Sequence, residues 1–276
     1  MTVYARLTAF CLAIAAALAV AAGAGAGKGG PSPGVQIGGK GIAAADGAHR
    51  YVARIKAGDT VVTGYDADGA VRRGSVGGVL GIPLVAFDGS RGGLAYDGRS
   101  LVLAAPGPVA GMSRFAVLST RNLALRRVVS LRGTWSYDAL SPDGRKLYLV
   151  EHSGDVTYRV RAYDVVRGSL LREAVIDPRQ GGRAMTGMPV TRATGPGGVW
   201  AYTLYQKPGG LPFVHALDTV RGKALCIELP WRGNQGRLFD VRMRVDGRTL
   251  VLSSLAGTSL ARIDTRAFTV HAHAQP

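Results

Sequence analysis

Ser141-Pro142-Asp143-Gly144-Arg145-Lys146-Leu147-Tyr148-Leu149-Val150 is the stretch that decides how this chain folds. Pro142 presets φ for a tight turn, Asp143 accepts backbone hydrogen bonds through its side chain, and Gly144 takes a conformation that a Cβ resists. The β-formers from Lys146 to Val150 leave the turn as a strand. Weaker copies of the turn stand at Asp46-Gly47, Asp97-Gly98, Gly197-Gly198 and Asp246-Gly247, so the anchors are spaced by 51, 46, 54 and 49 residues. A second mark follows each anchor by 20, 22, 21, 21 and 18 residues: Asp66, Ser119, Asp164, Asp218 and Asp264, each closing an alternating strand. Two marks holding phase through five copies define a repeat.

A period of about 40–50 residues with several short strands per unit predicts an all-β fold, a β-propeller of four-stranded antiparallel blades. Five copies between Gly41 and the C-terminus predict five blades. The strand leaving each turn carries Tyr51, Val102, Tyr148, Tyr202 and Val251 in one column, a stripe suited to burial between neighbouring sheets. Gly34 to Gly38 is the segment available to close a ring by adding a strand to the last blade.

The 276 residues suffice for one large β domain with its own core. Residues 1–26 read as a signal peptide: Arg6 is basic, Leu7 to Ala22 is apolar, and Ala22-Gly23-Ala24 and Ala24-Gly25-Ala26 fit small-x-small cleavage. The alternative is a retained membrane anchor, the one case in which a membrane is a partner. Residues 27–40 read as a Gly/Pro-rich linker and 41–276 as the repeat domain. These features predict a secreted or cell-envelope protein. With the leader removed, Cys226 is the one cysteine left, so no intrachain disulfide forms; its apolar run Ala224-Leu225-Cys226-Ile227 predicts a buried small hydrophobe.

The formal charge is +16, from 34 Lys and Arg against 18 Asp and Glu. Such a surface attracts acidic polymers, and the expected partners are an unknown protein or an anionic cell-envelope polymer, with nucleic acid set aside by export. The arginines are scattered, so base composition of the coding sequence also accounts for the bias.

Residues Ser141 to Leu149 resemble the repeat signature of YVTN/WD40-like propellers, the broad group that includes the lactonase-like propellers. Pro189 to Thr194 with Trp200 to Tyr205 resembles a set of actinobacterial exported proteins of this type. The resemblance implies architecture and says little of activity, because the fold hosts unrelated functions.

Tight turns follow the first and third strands of each copy, so the long connections gather on the other face, where function usually resides. That face is expected to hold Trp135, Glu151, His152, Arg183 and Trp231. The first strands are expected to line the central channel, with Asp138 and Arg192 the two charges of their column and able to pair. Adjacent residues on a strand point apart, so Glu151 and His152 are expected on opposite faces. These seven residues are the candidate ligand-binding set. No nucleophile elbow, phosphate loop or Cys/His cluster occurs, and no catalytic residue, metal site or cofactor is expected. The leading reading is a non-catalytic binding module. The alternative is a lactonase-like hydrolase or lyase of a small sugar-like or lactone substrate, centred on Asp138, Glu151, His152 and Arg192.

Overall fold

A computed structural model describes residues 32–181 and 183–276; the predicted signal peptide lies outside them. The repeat turns form as the sequence dictates. Asp46, Asp97 and Asp143 each accept, through Oδ1, the backbone N–H two residues on, at 2.8, 2.9 and 3.1 Å. The glycine between holds φ near +70° in all three turns. The closing aspartates work the same way: Asp164, Asp218 and Asp264 accept the N–H groups of the next two turn residues at 2.7–3.0 Å. Each aspartate therefore satisfies backbone donors that a tight turn leaves without ladder partners.

Five antiparallel sheets follow one another along the chain, in the manner of propeller blades. The first contains Ile42–Ala43, His49–Lys56, Asp59–Asp66 and Val71–Val76. The third contains Thr134–Leu140, Lys146–His152, Thr157–Asp164 and Ser169–Val175, with Met185–Thr186 paired to the start of Thr157–Asp164. The fourth contains Met188–Thr194, Trp200–Gln206, Phe213–Asp218 and Lys223–Glu228; the fifth contains Val241–Asp246, Thr249–Ser254, Ser259–Asp264 and Val270–Ala272.

The second sheet departs from the expected four strands. Its regular ladder has three, Ser100–Ala104, Met112–Ser119 and Leu125–Arg132. The inner strand is broken in two: Gly81 pairs with Ala104, and Leu94 pairs with Leu101. Between these halves the chain leaves as a hairpin, Leu84 pairing with Arg91. The hairpin crosses the centre of the molecule. Phe87 and Asp88 donate their backbone N–H groups to Pro189 and Val190 of the fourth sheet at 3.0 and 3.1 Å. Phe87 meets Phe239 edge-on at 6.4 Å.

The linker reading over 27–40 is corrected in its second half. Val35–Gln36 pairs with Ile82–Pro83, and Gly38 donates to the Ala53 carbonyl at 2.6 Å. This segment therefore packs at the centre between the first two sheets and does not join the last one.

The predicted stripe is buried at all five positions. Tyr51 packs in a cluster between sheets one and two, Val102 between two and three, Tyr148 between three and four, and Tyr202 between four and five. Each sheet thus presents the same column to its successor. Four clusters join five sheets in series. None of the four joins the fifth sheet to the first.

Two glycine substitutions separate strain from crowding. Gly144→Ala places a Cβ 2.7 Å from Ser100 Cβ, whereas Gly47→Ala, at the same φ, meets nothing within 4 Å. Gly47→Ala is expected to cost about 1 kcal/mol and Gly144→Ala roughly 2–3 kcal/mol in urea unfolding. Equal losses would show that the turn is not wedged against the second sheet.

Candidate functional site

Asp138 sits where the ladder between Thr134–Leu140 and Lys146–His152 slips: Tyr137 pairs with Leu149 and Ala139 with Tyr148. This β-bulge re-aims one side chain, and bulges recur beside functional sites for that reason. It turns the Asp138 carboxylate toward the fourth sheet, where the Arg192 guanidinium donates to Oδ1. The first-strand column allowed a solvated pair at the channel mouth; instead Asp138 is 3% exposed and the ion pair is buried. Asp138 Oδ2 and Arg192 Nε are both buried without a partner among the described residues. The central hairpin passes beside this pair and divides the space around it.

On the tight-turn side lies a funnel of about 350 Å³. Its floor is Arg91, Gly92, Tyr137, Asp138 and Arg192, and Tyr96 and Thr194 stand at its rim. Tyr96 is 49% exposed. It packs against Gly198, where φ is +70° and a Cβ would stand 2.6 Å from the Tyr96 Cβ. That contact ties a turn of the second sheet to a turn of the fourth. Arg91 is fixed by a 2.7 Å bond to the Gly41 carbonyl, which ties in the first sheet.

On the other side lies a cavity of about 20 Å³, room for about one water. Asp138, Ser136, His152, Tyr158 and Tyr205 line it, and the Tyr158 hydroxyl has no partner among the described residues. Ser136 Oγ and His152 Nε2 are 2.9 Å apart, the separation of a nucleophile and its base. Burial pushes His152 down to about 4. A base that weak takes a serine proton poorly at neutral pH, so the bond serves to hold two strands together.

The remaining candidates part company. Glu151 points away from His152 and pairs with Arg161 at 3.2 Å. Trp135 donates its indole N–H to the Arg132 carbonyl at 2.8 Å and packs on the cluster between sheets two and three. Trp231 is 3% exposed in the cluster between sheets four and five. The burial of Trp231 corrects its placement on an open binding face. Arg183 is exposed in a separate cleft with Arg179, Lys207 and Glu228. The set that converges is Asp138, Arg192 and His152. Arg91, Tyr96 and Ser136 join it, none of them in the original set; the turn signal Asp88-Gly89 was the available sign of the hairpin that places Arg91.

Sequence comparison adds nothing here: no protein-family model matches, and no curated protein matches. Among solved structures, the chain is similar to Kuenenia stuttgartiensis hydrazine synthase, with 18% identity and a TM-score of 0.51 over 81% of this chain and 63% of that one. It is similar to an acylaminoacyl peptidase in complex with Z-Gly-Gly-Phe-chloromethyl ketone, with 10% identity and a TM-score of 0.53 over 86% and 38%. The Dos1 propeller gives 12% identity and a TM-score of 0.48 over 84% and 57%. The chain spans less than two thirds of the length of these proteins. At such identities the likeness concerns the fold alone, and the fold is that of a β-propeller.

The buried histidines set a pH dependence. Burial lowers both His152 and His215 below the usual value of 6.5. The folded state therefore favours neutral imidazole, while the unfolded chain protonates first as pH falls. Stability is full above about pH 6.5 and declines as pH falls, down to about pH 4 for the His152 contribution, by up to about 1.4 kcal/mol per pH unit. Urea midpoints at pH 7 and pH 5 check this. The midpoint is expected to fall, and the fall to shrink in His152→Gln; a flat profile would contradict neutral buried histidines.

Proposed function

We propose that this chain is an exported propeller of the YVTN/WD40-like kind that acts as a binding module and receives its ligand in the central funnel. The observation that carries the reading is the funnel itself. It has the volume of a small-molecule site, an exposed aromatic at its rim and a few fixed polar groups at its floor. Loops of the first, second, third and fourth sheets meet there, whereas the long-loop face splits into separate features. Tyr96 offers a flat surface for a sugar-like ring, and Arg91 a charged donor. A polar ring, free or at the end of an anionic envelope polymer, fits this chemistry. The leader-like residues 1–26 support export, and the net charge of +16 supports attraction to an acidic envelope.

A second reading, the lactonase-like hydrolase, rests on Ser136 and His152 lying with Asp138 around one cavity. Its weakness is the neutral histidine and the turning away of Glu151.

Calorimetric titration of the purified chain with neutral and anionic saccharides and sugar lactones tests both. Tyr96→Ala is expected to weaken binding about tenfold or more with little change in melting temperature. Arg183→Ala, in the separate cleft, is expected to leave affinity unchanged. The reverse pattern would move the site to the long-loop face. Turnover of a lactone that is lost in Ser136→Ala would establish the hydrolase instead.

A further inference from the structure

Sheet four carries a second buried polar feature that the funnel does not use. Arg192, Thr203, His215 and Cys226 occupy directly paired positions across its four strands, forming one row from the centre outward. At the outer end three side chains of metal-ligating type converge. Cys226 Sγ lies 3.9 Å from Met185 Sδ and 3.8 Å from His215 Nδ1. The three residues are 7%, 5% and 0% exposed. We propose that Cys226, His215 and Met185 form a three-coordinate site for a soft monovalent ion, Cu(I).

The distances fit. Ligands held about 2.0–2.3 Å from a shared ion, at trigonal or tetrahedral angles, stand about 3.6–4.0 Å apart. The donors fit as well: thiolate and thioether sulfur select Cu(I) over harder ions. Charge decides between Cu(I) and Zn(II). One thiolate with neutral imidazole and thioether leaves a Cu(I) site neutral, while Zn(II) would leave an uncompensated charge in a core, which is costly. His215 stays neutral because burial lowers it, which keeps its ring nitrogen available as a ligand.

The site is also built rather than incidental. The Asp177 carboxylate accepts the Cys226 N–H at 2.8 Å, and Arg179 donates to the Cys226 carbonyl at 3.0 Å. The strand bearing the sulfur is thus clamped on both sides of one peptide. The His215 ring is held edge-on against Tyr205 at 6.3 Å with Nδ1 turned to Cys226. Met185 lines the open cleft of about 520 Å³, which gives the ion a way in from solvent. Binding replaces the S–H bond of Cys226 by an S–Cu bond and releases the proton to solvent, with no change in oxidation state. Binding therefore competes with a proton at the thiol.

The test is an anaerobic Cu(I) titration of the full reduced chain carrying Cys11→Ser, against a competing chromophoric chelator. One equivalent is expected to bind, with release of about one proton and an affinity about tenfold weaker for each unit fall in pH. X-ray absorption is expected to show two sulfurs and one nitrogen. Met185→Leu keeps volume and fold and is expected to weaken binding at least about tenfold, and Cys226→Ser to abolish it. Binding unchanged in both variants would place the ion elsewhere, at His271 and His273 for example, and overturn the assignment. Absence of stoichiometric Cu(I) binding, or tighter Zn(II) than Cu(I), would overturn it equally.

Discussion

The buried pair between Asp138 and Arg192 is the interaction around which the centre of the molecule is arranged. It joins the inner strands of the third and fourth sheets where the apolar clusters between blades give out. An ion pair this deep requires its charges to be matched, because desolvation of each is costly and only the partner offsets it. The bulge at Asp138 provides the match by turning a side chain that regular pleating would place differently. The hairpin from Leu84 to Arg91 then crosses beside the pair, and the two cavities on either side share Asp138 and Tyr137 as walls.

Around this centre the fold is repetitive. At Asp46, Asp97, Asp143, Asp164, Asp218 and Asp264 an aspartate closes a tight turn by accepting backbone N–H groups, and a bulky residue on the next strand fills the space toward the following sheet. Each sheet packs on the next through its own apolar cluster, so stability accumulates sheet by sheet through nearest-neighbour interfaces. Among the described residues no such cluster joins the last sheet to the first.

Much of this was legible in the sequence because it is local. Asp143-Gly144 is a turn whatever surrounds it, and the column from Tyr51 to Val251 follows from strand phase alone. The pairing of Asp138 with Arg192 was legible too, since both hold the same position in adjacent copies. Features that depend on distant partners were not. The hairpin at Phe87 is fixed by Pro189 and Val190, about a hundred residues on, and no local pattern announces that docking. Trp135 and Trp231 have the composition of binding aromatics, but their burial depends on which neighbouring sheet covers them. The bulge at Asp138 is a property of two strands in register, not of either one. The Cys226 cluster escaped for the same reason: its three donors come from separate strands, one of them only two residues long.

The most direct measurement of the central claim is a double-mutant cycle on the buried pair, by urea unfolding of Asp138→Asn, Arg192→Met and the double variant. The account predicts that each single change costs about 3–5 kcal/mol, because it leaves a buried partner uncompensated, and that the double variant recovers much of that loss. Small, additive losses would show that the pair is solvated and that the centre of the molecule does not depend on it.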